Sequence, residues 1–258
     1  MAEINVRSNY PDRPEDVIVS GPYDEEQVRL MDEVCILVDE DNNPIGTGSK
    51  RYCHLINNIN QGILHRGFSV YLFDSKNRLL LQQRASSKIT FPGVWSNTCC
   101  SHPLNNTTEK ELDTKAAIQG VKYAAQRKLF HELGISNEKI RVEAIHFLTR
   151  LYYKAPADDV WGEHEIGYAL LVQSDVDLHP NTNEVQNTRY VTEMELREML
   201  NDPHVPFSPW FRLVCLSKLF SWWKYIRMGL IENIINDMAI HRMDDPEQEK
   251  GKKITTAV

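Results

Sequence analysis

The chain has 258 residues, 41% of them hydrophobic, and its 29 basic and 36 acidic residues give a net charge of -7. This length can bury one sizeable core. The acidic balance excludes a surface field that would gather nucleic acid or an anionic membrane, so we expect no nucleic acid partner. An anionic ligand must then be held by a local basic pocket.

Cysteine usage and the chain termini bear on the cellular location. The five cysteines are an odd number without a Cys-x-x-Cys spacing, which argues against a disulfide framework. Residues 1–14 lack an apolar signal region, and no run reaches ~18 apolar residues, so we expect neither secretion nor a membrane span. The tripeptide His241-Arg242-Met243 resembles a peroxisomal ending, but it is not C-terminal. These features predict a cytoplasmic protein.

The chain divides into a lead, one domain and a tail. Residues 1–27 combine proline and acidic residues with few large apolar groups, and we predict a flexible lead there. Residues 28–240 carry the regular patterns of one domain, and residues 241–258 predict a charged, solvated tail.

The apolar patterns within the domain predict mixed strands and helices. Alternation of these elements indicates an α/β or α+β layered domain. The helix from Pro209 has apolar and aromatic residues at helical spacing, which is more typical of core packing than of a membrane anchor. The predicted elements are a strand at Glu33–Val38, a hairpin of Phe68–Phe73 and Leu79–Arg84, a helix at Thr114–Leu133 stopped by Gly134, a strand at Tyr168–Val172, and helices at Glu193–Leu200 and Pro209–Met228.

Two short segments carry residues suited to proton transfer or metal binding. In an extended Thr98–Pro103 segment, Cys100 and His102 share one face and Cys99 lies on the other. Likewise, Trp161-Gly-Glu-His-Glu165 places both glutamates on one face, where they repel unless a cation lies between them. Taken singly, a buried structural cysteine or histidine, or a solvated acidic loop, explains these residues as well.

Further histidines and basic residues complete the inventory. His54, His65 and His102 with Glu163 and Glu165 offer three imidazoles and two carboxylates, a set that suits zinc, manganese or magnesium. Their spacing alone does not establish that they converge. The basic residues of interest are Lys50, Arg84, Lys88 and Lys128, which suit a diphosphate beside a metal-holding carboxylate such as Glu132, or are ordinary solvated charges.

Together these segments resemble the type 1 isopentenyl diphosphate isomerases, in particular their eukaryotic branch. The resemblance covers roughly residues 28–226. It implies the Nudix-like fold, in which mixed β-sheets are flanked by helices, and an enzyme that interconverts isopentenyl and dimethylallyl diphosphate. The matching text includes Cys53-His54, His65-Arg-Gly-Phe-Ser-Val70, Leu80-Leu-Gln-Gln-Arg84, Lys88-Ile-Thr-Phe-Pro-Gly93, Asn97-Thr-Cys-Cys-Ser-His-Pro-Leu104, Trp161-Gly-Glu-His-Glu-Ile166 and Ser208-Pro-Trp210.

The resemblance also implies a role for each matching residue. Cys100 and Glu165 are the catalytic pair, Tyr153 hydrogen-bonds the catalytic carboxylate, and Trp210 faces the reacting carbons. Glu132 holds a magnesium ion that bridges the substrate diphosphate. The implied ligands of the second divalent metal are His54, His65, His102, Glu163 and Glu165. The implied diphosphate contacts are Lys50, Arg84, Lys88 and Lys128, the last of which stands where the family usually has arginine. We expect a monomer with an isoprenoid diphosphate as its substrate.

One departure from the wider Nudix pattern separates isomerisation from hydrolysis. Where a Nudix hydrolase has Arg-Glu-Leu-x-Glu-Glu-x-Gly, this chain reads Arg127-Lys-Leu-Phe-His-Glu-Leu-Gly134, so one of three metal-binding glutamates remains. Diphosphate cleavage is therefore disfavoured. The alternatives are a Nudix hydrolase and a non-enzymatic zinc protein that uses Cys53, Cys99, Cys100 and histidines. The sequence leaves open whether Cys100 or Glu165 delivers the proton.

Overall fold

Strands and helices are mixed along the chain in the computed structural model, which describes residues 23–106, 108–109 and 114–243. The helices are α1 (Glu25–Leu30), α2 (Lys50–His54), α3 (Ile56–Asn60), α4 (Thr114–Leu133), α5 (Glu193–Asn201), α6 (Pro209–Val214) and α7 (Phe220–Arg227). The strands are β1 (Val34–Val38), β2 (Pro44–Ser49), β3 (His65–Phe73), β4 (Leu79–Arg84), β5 (Trp95–Ser96), β6 (Cys99–Ser101), β7 (His146–Pro156), β8 (Gly162–Gln173), β9 (Val185–Val191) and β10 (Ile240–Arg242). A π-helical turn, Cys215–Leu219, joins α6 to α7.

The strands form a mixed sheet in the order β10-β7-β8-β3-β1-β2, with β4, β5, β6 and β9 attached to this path. Strands β3 and β8 run parallel, whereas β7 and β8 are antiparallel. Strand β3 also pairs with β6, so it is the common neighbour of the segments that carry the predicted site residues. The mixed sheet with flanking helices confirms the predicted fold class.

Strand β3 is buried along its whole length because both of its faces are covered. Phe68, Val70 and Leu72 pack in the cluster that contains α4. Tyr71 and Phe73 pack in the second cluster, which contains α6 and α7. Successive side chains of a strand point to opposite faces, so an unbroken apolar run can serve two cores. This two-sided packing fixes the position of His65 at the start of the strand.

The predicted β-hairpin is present at its turn, but its two strands, β3 and β4, separate directly after it. Phe73 pairs with Leu79, and the Asp74 carboxylate accepts hydrogen bonds from the N–H groups of Lys76 and Arg78. Beyond this turn β4 pairs with β9 and β5, while β3 continues between β8 and β1. The two strands therefore diverge, and β6 pairs with β3 where β4 has turned away. The predicted strands at residues 33–38 and 168–172 lie in β1 and β8.

Helix α4 has the predicted bounds. Its residues at three- and four-residue steps, among them Val121, Leu129 and Leu133, are buried against the sheet. Gly134 ends the helix with φ of 66°, and its N–H donates to the Phe130 carbonyl. Glycine accepts this left-handed conformation without steric cost, which explains the position of the stop.

The predicted helix at Pro209–Met228 is interrupted by the π-helical turn at Cys215–Leu219. Phe211, Leu219 and Trp223 are nevertheless buried in the core, which confirms the core-packing prediction. In the described part of the chain, no helix is long and apolar enough to cross a membrane.

The described ends differ from the predicted domain limits. The predicted lead lies outside the described residues up to residue 22, and the predicted tail lies outside them from residue 244. Helix α1 begins at Glu25, inside the predicted lead, and its N-terminus is capped by Asp24. His241 and Arg242 belong to β10, which pairs in parallel with β7, and Met243 is buried. Backbone pairing and the apolar Ile240 explain why the tripeptide packs on the domain.

Replacing Gly134 by alanine should lower the free energy of unfolding by about 2–4 kcal/mol. The positive φ strains any side chain, and an added Cβ would lie 2.5 Å from the His179 carbonyl oxygen. Gly62→Ala is the matched control, since Gly62 has φ of 95° but no atom within 4 Å of an added Cβ. That control should lose about 1–2 kcal/mol, from strain alone. Urea unfolding followed by circular dichroism measures both, and equal losses would refute the close contact.

Candidate active site

Four predicted metal-binding residues come together from separate elements. His54 ends α2, His65 begins β3, His102 follows β6, and Glu163 lies near the start of β8. Their donor atoms all lie within 4.8 Å of one another. The Nε2 atoms of His54, His65 and His102 are 2.9, 3.6 and 3.8 Å from Glu163 Oε2. The three imidazoles therefore surround one carboxylate oxygen.

Glu165 lies beside this cluster, as the alternation in its strand predicts. Its Oε2 is 3.9 Å from His65 Nε2 and 3.4 Å from His102 Nε2. Tyr153 donates a hydrogen bond of 2.7 Å to the other oxygen, Oε1. The intervening His164 points away and makes contacts of 2.7 Å with the Tyr152 hydroxyl and the Ile63 carbonyl. The predicted opposite facing of His164 and the two glutamates is confirmed.

The protonation states of the cluster favour a bound cation. Burial lowers the pKa of His65 to about 4, and it lowers the pKa of His102 well below its usual value. Burial alone would raise the pKa of Glu163, but the surrounding imidazoles, His54 first, hold it well below the usual range. Neutral His65 and His102 beside an ionised Glu163 are the forms that coordinate metals.

The hydrogen bonding of the cluster points the same way. In the described part of the chain, His54 Nε2, His65 Nε2 and Glu163 Oε2 are buried without a hydrogen bond of good geometry. Unsatisfied buried polar atoms are rare and costly, and a divalent cation would satisfy all three. His54 Nδ1 lies 2.6 Å from the Lys50 carbonyl, a contact that orients the ring towards the cluster.

His102 and Glu163 of the cluster line a pocket of about 400 Å³, open mouth included. Cys100, Tyr153, Glu165 and Trp210 line its interior. Cys100 and His102 face the pocket, whereas Cys99 packs in the core beside α4, so the predicted alternation of this segment is confirmed. Burial raises the pKa of the Cys100 thiol to about 11 and, with the negative charge of Glu163, raises the pKa of Glu165 well above its usual value.

Trp210, the second residue of α6, lines the pocket. Its indole N–H donates to Asn97 Oδ1 at 3.1 Å, so the ring is fixed by a hydrogen bond at its edge. The ring centroid lies 6.1 Å from that of Tyr153, with 32° between the planes. The aromatic pair walls the pocket next to Glu165, and a π face is available to a positive charge there.

Basic side chains line the mouth, as predicted. Arg84 is held by hydrogen bonds from its guanidinium to the carbonyls of Phe91 and Thr90, at 2.9 and 2.7 Å. Lys128 Nζ lies 3.2 Å from Glu132 Oε1, so the predicted magnesium ligand faces the same mouth. The basic residues that line the pocket are Lys50, Arg84, Lys88 and Lys128. A local cationic mouth is therefore present although the chain as a whole is acidic.

The structure does not support the alternative zinc site made of cysteines. In the described part of the chain, the group placed to hold a metal consists of histidines and Glu163. Cys53 packs with Cys35, Leu37 and Ile63, and its thiol lies 3.8 Å from the Gly48 carbonyl. Cys99 Sγ lies 3.5 Å from Glu132 Oε2, away from the histidines.

The sequence alone assigned no role to several residues at the site. Ser96 and Asn97 lie under Cys100 and Trp210, and Ser101 and Thr90 line the pocket. Glu184, a buried carboxylate, lies beside Lys88 and Lys128. Thr90, Asn97 and Ser101 lie within the matching motifs, and Ser96 directly precedes one of them. Glu184 lies in a polar segment without such a motif, and only the fold brings it to the site.

The sequence matches the family profile described as NUDIX domain over residues 63–211, which spans β3 to the start of α6. The fold and this match define a protein with a Nudix domain. The chain is also 57% identical to the isopentenyl-diphosphate delta-isomerase of Gibberella zeae, over 86% of this chain and 87% of that protein.

Two further relatives extend the comparison. The isopentenyl-diphosphate delta-isomerase of Schizosaccharomyces pombe is 53% identical, over 85% of this chain and 95% of that protein. Isopentenyl-diphosphate Delta-isomerase 1 of Bos taurus is 49% identical, over 88% of this chain and 99% of that protein. The chain belongs to the isopentenyl-diphosphate delta-isomerase family, which confirms the resemblance seen in its motifs.

Proposed function

We propose that the chain interconverts isopentenyl diphosphate and dimethylallyl diphosphate by moving a proton on to one carbon and off another. The observation that carries this proposal is one pocket that contains Cys100 and the Glu165–Tyr153 pair beneath a mouth lined by four basic side chains. The mouth suits a diphosphate, and the interior suits proton transfer to a hydrocarbon. The names of the relatives support this substrate.

The reaction explains the residue types in the interior. Protonation of the terminal alkene carbon gives a tertiary carbocation, and loss of a proton from the allylic carbon restores a double bond. The π face of Trp210 stabilises that cation by ~2 kcal/mol or more in a desolvated pocket. Trp210 is 4% exposed and Tyr153 is 5% exposed, so the aromatic wall also keeps water from capturing the cation.

Cys100 and Glu165 are the proton-transfer pair of this proposal. Burial disfavours the charged form of both, so the member that acts as the acid keeps its proton until the alkene accepts it. The other member must be ionised, as a thiolate or a carboxylate, to accept the proton from the allylic carbon. In either direction one member of the pair gives a proton and the other accepts one, and exchange with solvent resets the pair. Tyr153 donates its hydroxyl hydrogen to Glu165 and thereby orients the carboxyl group.

Two divalent cations complete the proposal. His54, His65, His102, Glu163 and Glu165 would hold a zinc, manganese or magnesium ion. The donor atoms of the three histidines and Glu163 converge, the described structure leaves His54 Nε2, His65 Nε2 and Glu163 Oε2 without a hydrogen bond, and Glu165 Oε2 lies 3.4 Å from His102 Nε2. Glu132 would hold a magnesium ion with the diphosphate, next to Lys128. The cations supply positive charge, which tunes the carboxyl group and neutralises the diphosphate.

Hydrolysis is the less favoured activity for the same fold. Helix α4 carries a single carboxylate, Glu132, and the residue one turn earlier is Lys128. A hydrolase needs several carboxylates to position magnesium and activate water.

We further propose a cytoplasmic monomer, since one chain supplies every side chain of the pocket and all five cysteines are free thiols.

Isopentenyl diphosphate incubated with the protein and magnesium in heavy water should become dimethylallyl diphosphate with deuterium at both reacting carbons. Proton NMR reports the position of the double bond, and phosphorus NMR reports the integrity of the diphosphate. Release of phosphate would instead identify a hydrolase. If the alkene stays in place without deuterium in folded, metal-replete protein, the proposed function is wrong.

Cys100→Ala should lower turnover by about 10²–10⁴-fold because it removes a proton-transfer group from the pocket. Cys99→Ala is the matched control. It removes a neighbouring thiol of the same size that packs in the core beside α4, so its effect on turnover should be far smaller. Steady-state kinetics and thermal unfolding of the two variants separate catalysis from stability. Equal losses of turnover would remove Cys100 from the catalytic pair.

Glu163→Gln should raise the dissociation constant of Zn²⁺ or Mn²⁺ by roughly 100-fold or more, since outer-shell changes alone reach ~10–100-fold. His164→Gln is the matched control, because His164 adjoins Glu163 in sequence but faces the Tyr152 hydroxyl. Calorimetric titration and elemental analysis measure the binding directly. A similar loss in both variants would contradict the assignment of Glu163.

A further inference from the structure

Glu184 is a buried carboxylate that no sequence motif marks. It directly precedes β9 and is 2% exposed. Its backbone carbonyl accepts a hydrogen bond of 3.0 Å from the Ala85 N–H, which ties it to the end of β4. This places its side chain behind the basic mouth, although it does not line the pocket itself.

The two carboxylate oxygens of Glu184 have different partners. Oε2 accepts a hydrogen bond from Lys88 and lies 3.9 Å from Lys128 Nζ. Oε1 accepts a hydrogen bond of 3.1 Å from Gln27 Nε2. One carboxylate thus lies between two lysines of the mouth on one side and helix α1 on the other.

Helix α1 braces this carboxylate. Gln27 is buried and also donates to Asn183 Oδ1 at 2.6 Å. Asn183 in turn donates to Asp24 Oδ1 at 2.8 Å, and Asp24 caps the start of α1. The orientation of Glu184 is therefore set by a hydrogen-bonded chain, which leaves Oε2 directed at the lysines.

Burial makes such a partner necessary. Lys88 and Lys128 are 9% and 4% exposed, and a buried ammonium group loses its hydration. Burial lowers the pKa of Lys88 to about 8, and Glu184 opposes this fall. The charged and titratable groups that face Lys88 are Glu184 from the loop before β9, Arg84 from β4, Lys50 from α2, and Lys128 and His131 from α4.

We propose that Glu184 is a positioning residue for diphosphate binding, which holds Lys88 and Lys128 side by side and keeps Lys88 in its charged form. The inference rests on the proposed function, because it assigns a further residue to the binding of the same substrate. Glu184 acts through the lysines and does not touch the substrate.

The role has a signature in the pH dependence of binding. The ammonium form of Lys88 binds the anion, so affinity is retained below the pKa of Lys88 and is lost as the pH rises through it. Glu184→Gln removes the negative charge that supports this ammonium, so the loss of affinity should begin at a lower pH. A residue with a merely structural role would weaken binding equally at every pH.

The test measures binding of isopentyl diphosphate, the saturated analogue that cannot be protonated, by calorimetry at fixed free Mg²⁺ between pH 6.5 and 9. In the wild-type protein the dissociation constant should rise above about pH 8. In Glu184→Gln the midpoint of that rise should fall by about one pH unit or more. The double variant Glu184→Gln with Lys88→Arg should lose the rise, because arginine stays charged throughout this range.

Two controls separate this effect from damage to the fold. Asp74→Asn removes another buried carboxylate, which pairs with Arg78 at 2.6 Å remote from the pocket, and it should leave the midpoint unchanged. Glu184→Asp keeps the negative charge but shortens the side chain by one methylene group, so it should lower the midpoint less than Glu184→Gln does. It serves as the test if Glu184→Gln does not fold.

The outcomes distinguish the two proposals. An unchanged midpoint in the folded Glu184 variants overturns the role of Glu184, whatever the protein catalyses. The role is supported if the midpoint falls in Glu184→Gln and if the rise in the dissociation constant disappears when Lys88→Arg is added. Absence of isomerisation in heavy water counts against the proposed function alone, because binding of the saturated analogue does not depend on turnover.

Discussion

The parallel pairing of β3 with β8 is the constraint on which the site depends. It sets His65 opposite Glu165, and it sets Gly67 opposite Gly167. Because side chains alternate along a strand, Glu163 and Glu165 then point at the histidines. Gly67 leaves the room that Glu165 occupies, since a Cβ there would lie 1.9 Å from Glu165 Oε2. A slip of one residue would turn both carboxylates away from the imidazoles.

The pocket separates two kinds of charge. His102, Glu163 and Glu165 line it beside a cluster suited to a cation, and four basic side chains suited to an anion line it as well. Tyr153, Trp210 and Cys100 lie between them. This arrangement gives an acidic protein a local site suited to an anion, with aromatic and titratable side chains next to it. The net charge of the chain therefore says little about the ligand, whereas the local placement of four basic residues says much.

The sequence predicts what depends on local pattern. The bounds of α4 follow from apolar spacing and Gly134, and the facing of Cys100, His102, Glu163 and Glu165 follows from strand alternation. Non-local features could not be predicted in this way. The divergence of β4 from β3 depends on pairing with β9, a partner more than a hundred residues away. The position of Glu184 depends on the same pairing, and the π-helical turn in the last long helical segment depends on how that segment packs.

The core also bears on the cost of burying the cluster of His54, His65, His102 and Glu163. His54 Nε2, His65 Nε2 and Glu163 Oε2 are buried without a hydrogen-bond partner, and each such atom costs about 1–3 kcal/mol of stability. Against this, each large apolar side chain buried on the two faces of β3 contributes roughly 1.5–3 kcal/mol. Phe68, Val70, Leu72, Tyr71 and Phe73 on that strand alone offset the cost of the cluster. The apolar packing of β3 therefore helps to offset the cost of bringing His54, His65, His102 and Glu163 together in the interior.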